Sequence, residues 1–184
     1  MVLPQEQDRI YTIDDIYELP EGTRAELIDG QIYYMAPPNR IHQKILNFVN
    51  LTIYNHIKSK NGPCEVYPAP FAVFIKPHDD RFYVEPDISV ICDSNKLDKR
   101  GCKGAPDWII EISSPGNSSH DYVRKLNLYL EYGVREYWIV NPKTQSVLVY
   151  FFESDPEPEK YTFKDKIKVN IYDDLYIDFN ELDI

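Results

Sequence analysis

Two acidic residues stand inside stretches that otherwise read as apolar strands. Asp87 lies in Val84-Glu-Pro-Asp-Ile-Ser-Val-Ile, and Glu111 lies in Trp108-Ile-Ile-Glu-Ile. Strand side chains alternate between faces. Asp87 therefore points with Ser89, and Glu111 with Ile109 and Ser113, while both faces around Glu111 read as covered. An ionised carboxylate there is costly unless a cation or several donors compensate it, and two side by side repel. A divalent cation answers both problems, because Mg²⁺ is commonly held by one or two carboxylates plus waters. The other solution is structural: each acid pairs with an Arg or Lys, or caps a neighbouring turn. Lys125 is the third candidate. It shares a helix face with Asp121 and Tyr129 at four-residue spacing, with Leu126 and Leu130 offset and packed inward. It can reach back to Glu111, or stay in solvent paired with Asp121. Asp107, of a second Pro-Asp pair, shares a strand with Glu111. At 3.3 Å per residue the two are roughly 13 Å apart, too far for one ion.

The elements that must position these groups can be read from periodicity and turn chemistry. A short helix covers Ile13–Glu18. Arg24 to Met35 reads as a hairpin around Asp29-Gly30. A helix follows over Ile41–Ser59, with Ile45, Phe48/Val49, Ile53 and Ile57 on one face. Asn61-Gly62-Pro63 ends it. Strands are expected at Glu65–Ile75, Tyr83–Cys92 and Asp107–Ser113. After a turn over 114–119, in which Ser118 or Ser119 caps the next helix, that helix runs from His120 to Tyr132 and stops at Gly133. Glu136–Val140 and Val147–Phe152 form a hairpin around Asn141-Pro142-Lys143-Thr144. Pro156–Pro158 is a linker, and the tail adds edge strands such as Lys166–Tyr172. This order implies an α/β fold with a mixed central sheet flanked by helices, an N-terminal β-hairpin and extra C-terminal edge strands. The expected organisation is a single domain over 1–184, with a core at about 41–152, an extension at 1–40 and an acidic strand extension at 153–184.

Composition narrows the function class. The chain has 184 residues, 43% hydrophobic and 27% charged, which is ordinary globular material. Fifteen tyrosines favour strands. The net charge of −10 looks wrong for a nucleic-acid binder, yet it is uneven. Residues 1–30 carry 8 acids and 2 bases, 153–184 carry 10 and 4, and 31–152 carry 12 acids against 14 bases. No signal-peptide pattern and no membrane-length apolar run is seen, so a cytoplasmic protein is expected, with no membrane partner. Cys64, Cys92 and Cys102 are expected as reduced thiols, and the four histidines lack metal-ligand spacing. Walker, GxSxG, GxGxxG and HExxH motifs are absent from the sequence. The link Asp93–Pro106 carries Lys96, Lys99, Arg100 and Lys103. It is either a flexible basic loop that contacts a phosphate backbone or simply a solvated one.

Four stretches carry a resemblance: Ala25-Glu-Leu-Ile-Asp-Gly, Pro86-Asp-Ile-Ser-Val, Gly104-Ala-Pro-Asp-Trp-Ile-Ile-Glu-Ile-Ser-Ser-Pro and Gly133-Val-Arg-Glu-Tyr-Trp-Ile-Val-Asn-Pro. In order and in wording they resemble the Uma2 family (DUF820-type, abundant in cyanobacteria), a branch of the PD-(D/E)xK endonuclease superfamily. The resemblance covers about residues 11–152. It implies a restriction-endonuclease-like core and a Mg²⁺- or Mn²⁺-dependent endonuclease acting on nucleic acid, with DNA the expected substrate. Asp87, Glu111 and the backbone carbonyl of Ile112 would hold the metal. The superfamily's lysine, two residues after the glutamate, is Ser113 here, and Lys125 from the following helix is its implied replacement. The Lys125–Tyr129 spacing resembles a polar helix motif of RecB-like nucleases, which makes Tyr129 an accessory candidate. Glu26 either lines the site or is an exposed hairpin acid. His42 either approaches the metal or a phosphate, or is an ordinary helix-start histidine. The rival reading is a catalytically inactive nuclease-fold module that binds DNA or a protein partner. The Tyr-rich sheet and extra edge strands point to a homodimer, since most soluble oligomers are twofold.

Overall fold

The computed structural model describes residues 9–114, 119–154 and 157–184. Ser118, part of the linker at 156 and the side chain of Asp121 lie outside the described residues. In chain order the elements begin with α1 (Ile13–Tyr17), β1 (Ala25–Ile28), β2 (Gln31–Tyr34) and α2 (Arg40–Lys60). They continue with β3 (Glu65–Pro68), β4 (Val73–Phe74), β5 (Ile88–Ile91), β6 (Leu97–Asp98), β7 (Gly101–Lys103) and β8 (Trp108–Ile112). The last are α3 (Ser119–Glu131), β9 (Glu136–Asn141), β10 (Ser146–Phe151), β11 (Glu159–Thr162), β12 (Lys166–Lys168) and β13 (Tyr176–Asp178).

Six strands form the central sheet in the order β11-β10-β9-β8-β5-β3. It is mixed: β8 and β9 run parallel, linked through α3, and the other neighbours are antiparallel. Apolar residues on both faces of β8 let the sheet be covered on both sides. On one face Ile45, Val49 and Ile53 of α2 pack with Ile88, Val90, Ile110 and Ile112. On the other, Leu128 and Tyr129 of α3 pack with Ile109, Tyr137 and Ile139. The α2 helix starts where the Asn39 side chain accepts from the His42 amide at 2.9 Å, and it ends on left-handed Asn61. The β1–β2 turn has positive φ at both Asp29 and Gly30, the primed geometry that suits hairpin twist.

Several expectations are corrected. The strand expected over 65–75 breaks between β3 and β4, and the one over 83–92 shrinks to β5 with isolated bridges at Tyr83 and Val84. Prolines 68, 70 and 86 lie in or beside those breaks, and proline cannot donate to a ladder. The segment 93–106 is no loose loop. It forms a 3-10 turn, β6 and β7, and joins β4 in a three-stranded sheet of order β4-β7-β6. Gly101 makes that junction possible, since a Cβ there would sit 2.1 Å from the Ala72 carbonyl oxygen. On α3, Leu130 is exposed rather than inward, because the buried stripe runs Lys125, Leu128, Tyr129. Cys64 and Cys92 are disulfide-bonded, not free. They flank the Glu65–Ile91 pair of β3 and β5 and so face each other across the strands. Cys102 alone is a free, buried thiol. The tail is more than edge: β11 extends the sheet, while Phe163, Ile167, Ile177 and Phe179 enter the α2-side core.

Candidate active site

The register of β5 against β8 sets Ile88 opposite Ile110 and Ser89 opposite Ile109. Continuing it by one residue brings Asp87 opposite Glu111, just beyond the end of the ladder. The Asp87 side chain takes over there: its Oδ2 accepts from the Ile112 amide at 2.7 Å. The same oxygen meets His42 Nε2 at 3.1 Å, because the first turn of α2 lies above this end of the sheet. On the α3 side, Lys125 Nζ lies 2.9 Å from Glu111 Oε1, and the Tyr129 hydroxyl donates to that oxygen at 2.9 Å. Lys125 also reaches Glu26, with Nζ 2.9 Å from Oε1 and 2.8 Å from Oε2. Glu26 arrives because β1 docks on the 83–85 segment through two Leu27–Tyr83 backbone bonds, and its Oε1 accepts from the Glu85 amide.

These groups are all deeply placed: Glu26, Glu111 and Asp87 are 3%, 6% and 8% exposed, and Lys125 is 3% exposed. They line or floor one cleft of about 370 Å³. Two of these carboxylates, Glu26 and Glu111, hold the Lys125 ammonium between them, while Asp87 is held by His42 and the Ile112 amide. Burial pushes the Glu111 carboxyl well above the ordinary range; Lys125 opposes this, while Glu26 and Asp87 add to it. Burial likewise raises the Tyr129 phenol, with Glu111 contributing, so Tyr129 stays a donor.

The donor set fits a hard divalent ion. Asp87 Oδ1 and Glu111 Oε2 have no protein hydrogen-bond partner among the described residues, and the cluster carries excess negative charge. Among the described residues no three His, Cys, Asp or Glu side chains form a ready cage. An ion would therefore rest on two carboxylates, a backbone oxygen and waters, the usual habit of Mg²⁺.

Asp87, Glu111, Lys125, Glu26, His42 and Tyr129 thus come together. Glu26 is not an exposed hairpin acid, and His42 is not a plain helix-start residue. Lys96, Lys99, Arg100 and Lys103 are not among the residues lining the cleft. Lys96 donates to the Ala105 carbonyl, Lys103 pairs with Asp98, and Arg100 lies over the Phe74 ring. Asp107 serves structure, accepting from the Cys92 amide and pairing with Arg135. Sequence reasoning missed Arg24 and Arg124, which line the cleft, and Glu85, whose carboxylate takes Arg24 and the Tyr83 hydroxyl. The alternation of Arg24 with Glu26, and the adjacency of Arg124 to Lys125, were the available signals.

The family model described as "Uma2: Putative restriction endonuclease" matches residues 13–175. The chain belongs to the Uma2 family. This Uma2 chain is 25% identical over 140 residues to an uncharacterised protein of Synechocystis, covering 76% of this chain and 72% of that one. Its fold matches a crystal structure from Anabaena variabilis, titled a "putative nuclease belonging to DUF820". The TM-score is 0.75 at 24% identity, over 93% of this chain and 96% of that one. The mixed α/β fold of this Uma2 protein is therefore shared with that structure.

Proposed function

We propose that the chain is a divalent-metal-dependent endonuclease that hydrolyses phosphodiester bonds of DNA, acting as one restriction-endonuclease-like domain over 1–184. The observation that carries this reading is that Glu26, Asp87 and Glu111, three buried carboxylates, line one cleft together with Lys125, with one open oxygen on each of Asp87 and Glu111. Asp87, Glu111 and the Ile112 carbonyl are the residues that would hold Mg²⁺ or Mn²⁺. Such an ion supplies positive charge at the phosphate and makes a water more acidic. The protein's own part is positional and electrostatic. His42 and the Ile112 amide fix Asp87; Tyr129 and Lys125 fix Glu111; Glu26 anchors Lys125. The ammonium, held in a low-dielectric cleft, faces the charge that builds on the phosphate.

The test is a plasmid cleavage assay with Mn²⁺ or Mg²⁺ against EDTA. Asp87→Ala and Glu111→Ala should each lower cleavage by about a hundredfold or more, with circular dichroism showing that both remain folded. Full activity in either variant would sink the site assignment. Retention of DNA at low salt with no cleavage under any metal would instead support the inactive binding module. Two finer parts of the proposal are a homodimer, checked by light scattering for twice the chain mass, and action in the cytoplasm, checked by fractionation. Among the described residues no helix is long and apolar enough to cross a membrane.

A further inference from the structure

The β1–β2 register sets Ala25 opposite Tyr34. Continuing it by one residue brings Arg24 opposite Met35, whose amide donates to the Arg24 carbonyl at 2.9 Å. Arg24 and Glu26 are two residues apart, so their side chains leave the strand on one face, and both line the cleft. Their Cα atoms lie about 7 Å apart along the strand. Arg24 is thus a neighbour of the Glu26–Lys125 pair and not a member of it. Its guanidinium is held from outside the cleft by Glu85, which is buried and is not among the lining residues. Glu85 Oε2 accepts from Arg24 Nε at 2.9 Å, and Arg24 Nη2 lies 2.8 Å from the same oxygen. Glu85 is itself fixed: its Oε1 accepts from the Tyr83 hydroxyl at 2.6 Å, and its amide donates to Glu26.

This anchoring uses one edge of a planar donor fork and leaves the rest over. Arg24 Nη1 has no protein partner among the described residues. Arg24 Nη2 is buried beside Glu85 without an aligned hydrogen bond. A donor short of an acceptor is costly where water is excluded, and it calls for a reason. None of the cleft carboxylates supplies the acceptor: Glu26 and Glu111 hold Lys125, and Asp87 is held by His42 and the Ile112 amide. The Arg24 side chain is nevertheless 32% exposed, so a ligand in the cleft can reach it. An oxyanion is the ligand that a guanidinium fork fits, and a fork already braced by a carboxylate loses little freedom on binding one. In a nuclease the phosphate to be cut belongs at Asp87, Glu111 and Lys125. Arg24, a short step along the strand from that group, is placed for the next one.

Resting on the nuclease reading, we propose that Arg24 binds the backbone phosphate adjoining the one that is cut, its Nη1 end donating to the phosphate oxygens. Arg24→Gln alone strips buried Glu85 of its cation and destabilises the fold. The variant to read is therefore Arg24→Gln combined with Glu85→Gln, which removes both charges and keeps the net charge at −10. The experiment is fluorescence anisotropy on the full chain in Ca²⁺ over a series of salt concentrations. The probes are a short labelled DNA duplex and its single strand, and the one that binds tighter is followed. Affinity falls with salt at a slope set by the number of phosphates contacted. The double variant should bind about tenfold more weakly at low salt, and its slope should be shallower by about one. Arg24→Lys, which keeps the charge and loses the fork, should keep the slope. An unchanged slope in the double variant overturns the inference even where affinity drops, because loosened packing weakens binding alike at every salt concentration. If that slope is unchanged while the parent chain still cuts plasmid with metal, this inference alone falls. If the parent chain neither binds nor cuts, the nuclease reading falls and this one with it.

Discussion

Lys125 sits between Glu26 and Glu111, and that shared duty decides what each substitution does. Removing the ammonium, as in Lys125→Met, leaves two buried carboxylates facing one another. Urea denaturation should show a loss of about 3–5 kcal/mol. Neutralising the surplus acid works the other way. Glu111→Gln leaves Lys125 and Glu26 as a neutral pair, so the metal-free protein should gain about 0.5–2 kcal/mol while cleavage is lost, the common exchange of activity for stability. Asp87 and Glu111 were legible because each is an acid among strand apolars; Lys125 was not legible from its helix, where Leu126 and Leu130 read as the inward face, and only the family resemblance pointed to it. The pairing of Arg24 with Glu85 was not legible. It spans 61 positions and depends on where the hairpin docks, which no periodicity records.

Element by element, the long periodic segments read true: α2, the β1–β2 hairpin and the β9–β10 hairpin all form where apolar spacing and turn residues place them. The 93–106 segment failed because its lysines and glycines look like loop chemistry, while its strands are two and three residues long. Gly101→Ala should detach β7 from β4, since the added Cβ would meet backbone at 2.1 Å and φ is +146°. A cost of about 2 kcal/mol or more is expected in a thermal melt. On β9, Glu136 is fully buried and accepts from Trp138 Nε1, Asn170 Nδ2 and the Ile171 amide. Burial raises its carboxyl above the ordinary range, and those hydrogen bonds oppose the rise. A folded-state value above the unfolded one means the native state binds the proton more tightly. Its stabilising contribution is then complete below the ordinary carboxylate value and declines as pH rises through the raised one. Glu136→Gln should flatten that part of the stability–pH curve, read from urea midpoints.

At the scale of the molecule, the acidic tail is the part that sequence reading placed least well. Its apolar residues are spaced among many charges, so it resembled an edge extension. In the fold, seven of its residues, from Phe163 to Leu182, close the α2 side of the core. Glu136 ties Asn170 and Ile171 to the central sheet as well. Ending the chain after residue 152 should therefore abolish cooperative unfolding, not merely lower a midpoint.

Cys64 and Cys92, 28 positions apart, close a ring of chain that contains Asp87. Opening that ring with a reductant frees the unfolded chain and leaves every cleft side chain in place. The stability lost should be about 3 kcal/mol. The protein then has two melting temperatures, one per oxidation state, and a half-oxidised preparation melts as two populations. Under reducing conditions such as those of a cytoplasm, where such bonds are rare, the softer form would be the one present.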